Sequence, residues 1–125
     1  MGTNYYLRFS DKVFENSNNF FLRKKDDIKR KMELHIGKCS AGWRFLFHQE
    51  EIENNVIDTY GKWKDLINQE EYEVWDEYDI LVNKEELFDM IDKKQVDTLS
   101  EGHSTSYYGH FISKDGYDFC RGEFS

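Results

Sequence analysis

The stretch that most restricts the fold is LHIGKCSAGWRFLFH, residues 34–48. Leu34, Ile36, Trp43, Phe45 and Phe47 fall at alternate positions on either side of a small-residue turn, the period of a strand with one buried face. Taking Cys39–Gly42 as a four-residue turn sets Lys38 against Trp43, Ile36 against Phe45 and Leu34 against Phe47. So apolar a face must meet a core. The opposite face then carries Glu33, His35, Gly37, Arg44, Leu46 and His48, with Glu33 across from His48 and the two poised to pair.

A core to receive that face is available. The chain has 125 residues, of which 17% are aromatic, with 10 Phe, 8 Tyr and 3 Trp. That length suits one domain spanning 1–125, and few but large side chains can fill its interior. NYYLRF (4–9) reads as a first strand followed by the polar loop SDKVFENSNN, while FFLRK (20–24) fits either a strand or a helical turn. DTYGKWKDLINQ (58–69) predicts a helix with Asp58 as N-cap and Tyr60, Trp63, Leu66 and Ile67 on one face. EYEVWDEYDILV reads as a hairpin turning at Asp76–Asp79. NKEELFDMIDKK predicts a second helix, capped by Asn83 with Glu86 three residues on. The tail YYGHFI-SKDG-YDFC has the Asp-Gly signal of a closing hairpin. The expected fold is α+β: antiparallel hairpins forming one sheet, with about two helices on one of its faces.

Charge narrows the choice of partners. The net charge is -8 with a pI near 5.0, which opposes phosphate backbones and anionic membranes, so direct nucleic-acid or membrane binding is not expected. The positive charge gathers in FLRKKDDIKRKMELHIGK, and the acid in QEEIENN and QEEYEVWDEYD. Cys39 and Cys120 have no neighbour at metal-ligand spacing, which predicts reduced thiols in a cytoplasmic protein. The start MGTNYYLRFS lacks an apolar signal region, and no run approaches the length of a membrane span.

Chemistry-bearing groups are few. His35, His48, His103, His110 and the two cysteines lack zinc-motif spacing, so neither a metal nor another cofactor is expected. Cys39 sits in a turn near His35 and Lys38, a setting that can lower a thiol pKa, but nothing supplies an oxyanion hole or an orienting third group. Acidic pairs such as Glu70–Glu71 and Asp76–Glu77 are too common in so acidic a chain to specify a glycosidase. The turn GKCSAG offers amides, a lysine and a serine to an anion without the glycine loop and following helix of a phosphate-binding loop. The candidate ligand- or partner-binding residues are therefore His35, Lys38, Ser40, Arg44 and His48, with no catalytic set.

Four segments, MGTNYY, HIGKCSAGW, DEYDILVNKEELFDMI and YDFCRGEFS, resemble a family of small phage and prophage proteins. Members open MGTNYY, carry a segment like HIGKSSGGW ahead of an aromatic run and a histidine, and close near GEFS. The matching positions are His35, Ile36, Gly37, Lys38, Ser40, Gly42, Trp43, Phe45 and His48. Many members also have a cysteine cluster resembling a zinc knuckle before the HIGK segment, whereas residues 10–32 here contain neither cysteine nor histidine. Cys39 stands where the commoner motif has serine, which argues against a catalytic thiol. The resemblance implies a phage-encoded accessory protein in the host cytoplasm. Together with the acidic surface it leads us to expect a non-enzymatic module that binds a host protein and inhibits a defence system or another host enzyme. The alternative is a module that binds or sequesters a nucleotide or other small anion on the 35–48 hairpin, with aromatic stacking beside Lys38 and Arg44.

Overall fold

The computed structural model describes residues 2–10, 33–97, 109–122 and 124. The alternation read in the sequence becomes a sheet of seven strands. The strands are β1 (Gly2–Phe9), β2 (Leu34–Ser40), β3 (Leu46–His48), β6 (Tyr72–Asp76), β7 (Leu81–Val82), β8 (His110–Ile112) and β9 (Asp118–Cys120), in the spatial order β7-β6-β1-β2-β3-β9-β8. β4 (Glu50–Ile52) and β5 (Asn55–Ile57) form a separate small hairpin. All pairs in the large sheet are antiparallel except β3·β9, which is parallel.

Two helices occur among the described residues, α1 (Tyr60–Ile67) and α2 (Lys84–Asp97). Both pack on one face of the sheet, as the α+β reading expects. Tyr60, Trp63, Leu66 and Ile67 of α1 and Leu87, Phe88 and Ile91 of α2 join Leu7, Ile36, Phe47, Val74 and Phe119 of the strands in a single core. Phe47 lies at its centre, stacked on Phe119 at 4.9 Å between ring centroids and tilted against Tyr60 at 5.2 Å. Asn83 caps α2 as expected, its side-chain oxygen accepting the Glu86 N–H at 3.1 Å. The cap of α1 is Thr59, which accepts the Lys62 N–H at 3.1 Å, while Asp58 instead pairs with the Lys62 ammonium at 2.8 Å.

The register of the central hairpin differs from the one expected. Lys38 pairs with Leu46 and Gly37 with Phe47, so the connection is longer than four residues and Trp43 sits in it, 39% exposed, outside the core. A β-bulge at Ile36 is the second departure: Tyr5 pairs with Gly37 but Tyr6 with His35. The extra residue turns Gly37 toward the core side that Ile36 already faces. A Cβ at Gly37 would strike the Leu46 carbonyl and lie 2.5 Å from Cε1 of Phe45, so only glycine fits there. Glu33 is consequently not the partner of His48; it holds Arg8, with a nitrogen–oxygen distance of 2.6 Å.

The β4–β5 hairpin forms where the sequence shows only the acidic run QEEIENN. Its turn places Glu53 and Asn54 at positive φ, the left-handed conformation that suits asparagine in a tight hairpin turn. The segment FFLRK and His103 lie outside the described residues. No helix among those described is long and apolar enough to cross a membrane.

Candidate functional site

Because side chains alternate across a strand, the residues that do not face the helices line the sheet's second face. There β1, β2 and β3 set three rings side by side. Tyr6 stacks on His35 with centroids 5.1 Å apart, and His35 on His48 at 5.3 Å. Phe124 leans on both imidazoles, at 4.6 Å from His35 and 5.6 Å from His48. His35 and His48 are only 6% and 4% exposed.

Each imidazole is tied to a different strand. His35 Nε2 is hydrogen-bonded to Asn4 Oδ1 of β1 at 2.9 Å, and His48 Nδ1 to Glu50 Oε1 of β4 at 2.7 Å. The His48 carbonyl accepts the indole N–H of Trp63 at 3.1 Å, fastening α1 to the sheet. Burial pushes the His35 pKa down to about 4, and the neighbouring His48 adds to the effect; Glu50, the Gly37 backbone and Glu77 oppose it without prevailing. His35 is thus neutral at neutral pH and offers no positive charge to an anion.

The other candidates lie apart from this pair. Lys38 and Ser40 flank the end of β1, and a Cβ on Gly2 would lie 2.5 Å from Ser40 Oγ and 2.6 Å from Lys38 Cε. The Ser40 carbonyl accepts the Lys94 ammonium of α2 at 2.8 Å. Arg44 is in the loop leading to β3, half-buried, and its Nε has no hydrogen-bond partner among the described residues. The structure therefore unites His35 with His48 and Lys38 with Ser40, but does not gather all five into one cleft. Cys39 packs against the core, and burial raises its thiol pKa despite Lys94.

Sequence reasoning missed the residues that complete the second face. On the strand pair beyond β3, His110 Nε2 is bonded to Asp118 Oδ1 at 3.1 Å, and Asp118 is fully buried. Cys120 pairs across the sheet with both His48 and His110, and is 1% exposed. The His48–Glu50 contact had a local signal that the expected Glu33 pairing overlooked, since residues two apart on extended backbone point the same way. Asn4, His110 and Phe124 had no such local signal. No group of three or more His, Cys, Asp or Glu among the described residues could hold a metal ion. A separate groove of about 390 Å³ runs between β5 and α1, walled by Val56, Ile57, Lys62, Asp65, Leu66 and Gln69, and includes none of the five candidates.

The chain finds no match among protein-family models, curated proteins or solved structures.

Proposed function

We propose that this protein is a phage-encoded accessory protein of the host cytoplasm, a non-enzymatic module that binds a host protein through its acidic surface and so inhibits a defence system or another host enzyme. One observation carries the reading. The two candidate imidazoles are closed inside the sheet and engaged with Asn4 and Glu50, which leaves the exterior of a chain of net charge -8 as the surface a partner meets. Charge of one sign steers association with an oppositely charged partner and makes its rate depend on salt. The phage resemblance of MGTNYY and HIGKCSAGW supports the same setting.

The test is affinity capture with the tagged chain from bacterial lysate at low and moderate salt. A stoichiometric protein partner, released as salt rises, is the expected result; recovery of none at either salt would overturn the reading. A nucleotide panel in a thermal-shift assay gives the second arm. Stabilisation by one nucleotide at millimolar concentration would favour a ligand-binding protein instead, since binding to the native state must raise its melting temperature.

A further inference from the structure

Exposed apolar side chains cluster where β6 joins β7. Tyr78, Ile80 and Leu81 are 67%, 59% and 55% exposed, three large apolar side chains within four positions. Asp76 and Glu77 precede them and Asp79 lies between Tyr78 and Ile80. Apolar side chains grouped in the open and edged by charge have the make-up of an interaction site.

The turn is also held in shape. Asp76 Oδ1 accepts the N–H groups of both Tyr78 and Ile80, at 2.8 and 3.0 Å, while the Asp76 N–H donates to the Ile80 carbonyl at 3.0 Å. Glu77 is clamped to β1 from both sides: its N–H donates to the Asn4 carbonyl at 3.0 Å, and its Oε1 accepts the Asn4 N–H at 2.8 Å. Asp79, at φ 59°, is gripped by Arg8 at 3.1 Å. A tip fixed before contact loses little freedom on docking, so more of its contact energy appears as affinity.

Resting on the binding-module reading, we infer that the β6–β7 tip is the docking surface, and that its partner is a protein presenting an apolar pocket within a basic rim. Tyr78 and Leu81 enter the pocket, and Glu77 and Asp79 face the rim. Charge selects this occupant over the alternatives. Phosphate backbones and anionic lipid repel the tip, and a symmetric contact with a second copy, tip against tip, would bring acid against acid.

The experiment uses the full chain with benzoylphenylalanine at position 80 or, as an off-patch control, at position 96 on α2, where Val96 is 76% exposed. Each is irradiated in bacterial lysate, and the cross-linked protein is identified, purified and titrated against the unmodified chain. The expected result is one basic protein cross-linked from position 80 alone. Its affinity falls about tenfold or more with Tyr78→Ala or Leu81→Thr, as for a central aromatic anchor. Glu77→Gln, which keeps an oxygen for the Asn4 N–H, and Asp79→Asn, which keeps one for Arg8, slow its association by about threefold or more at low salt. An identified protein whose affinity ignores all four substitutions, or one cross-linked only from position 96, would overturn the docking surface while leaving the binding-module reading standing. A cross-link to a second copy would assign the tip to self-association. Absence of any cross-link from both positions, with no partner in affinity capture, would remove the binding-module reading and this surface with it.

Discussion

At the scale of single residues, His35 makes the protein sensitive to acid. Its folded pKa of about 4 lies below the ordinary imidazole value of 6.5. The unfolded chain therefore takes up the proton first: stability is full at neutral pH, begins to fall below 6.5, and stops falling on this account near 4. The loss amounts to about 3 kcal/mol at most. Urea unfolding at pH 7 and pH 4.5 should show the drop in the wild-type chain and a smaller one in His35→Gln; equal slopes would deny that His35 is the cause. Two of the three tryptophans divide along the same line between inside and outside. Trp63 is fully buried, so Trp63→Ala should cost about 3–5 kcal/mol, whereas Trp43→Ala, at an exposed loop position, should cost under about 1 kcal/mol. Calorimetry on the pair checks the order. The alternation of residues 34–48 made Ile36, Phe45 and Phe47 legible as core, but it could not place Trp43. Turn length decides whether that residue belongs to the strand or precedes it, and small residues such as Ser40, Ala41 and Gly42 suit several lengths.

At the scale of elements, the helices were legible because their signals are local. Asn83 and Glu86 sit three apart, and the apolar residues of α1 recur with helical spacing; Asn83→Ala should accordingly destabilise the protein by about 1 kcal/mol in a denaturant titration. The bulge at Ile36 was not legible, because it answers to a neighbour in β1 some thirty residues away rather than to anything in β2 itself. Its signature is Gly37. Placing alanine there drives a methyl into the β3 backbone and the Phe45 ring, so Gly37→Ala should lower stability by about 1–3 kcal/mol and disturb the amide resonances of β2 and β3 before those of α2. Unchanged stability would mean that β2 and β3 can separate freely. The candidate site suffered from the same cause. His35 and His48 were rightly assigned to one face, but what that face meets, Asn4, Glu50 and Phe124, is set by strand order.

For the molecule as a whole, the sign of the charge matters more than its pattern. A net charge of -8 repels itself on compaction, so stability should rise from about 10 mM to about 150 mM ionic strength, where the screening length falls from about 30 Å to about 8 Å. A melting temperature that does not move over that range would show the acids to be balanced locally. The sheet order has its own consequence for how the molecule comes to be. β3 is buried throughout and gains its outer neighbour only from β9, its parallel partner from near the far end of the chain. Closing so long a loop is slow, and until it closes β3 is a bare apolar edge. A nascent chain therefore leaves the ribosome's exit tunnel with an adhesive seam open until residues 109–120 follow. Pulse-labelling hydrogen exchange during refolding should find β3 and β9 protected last, and crowded refolding should yield swapped dimers in which one copy's terminal hairpin seals the other's seam.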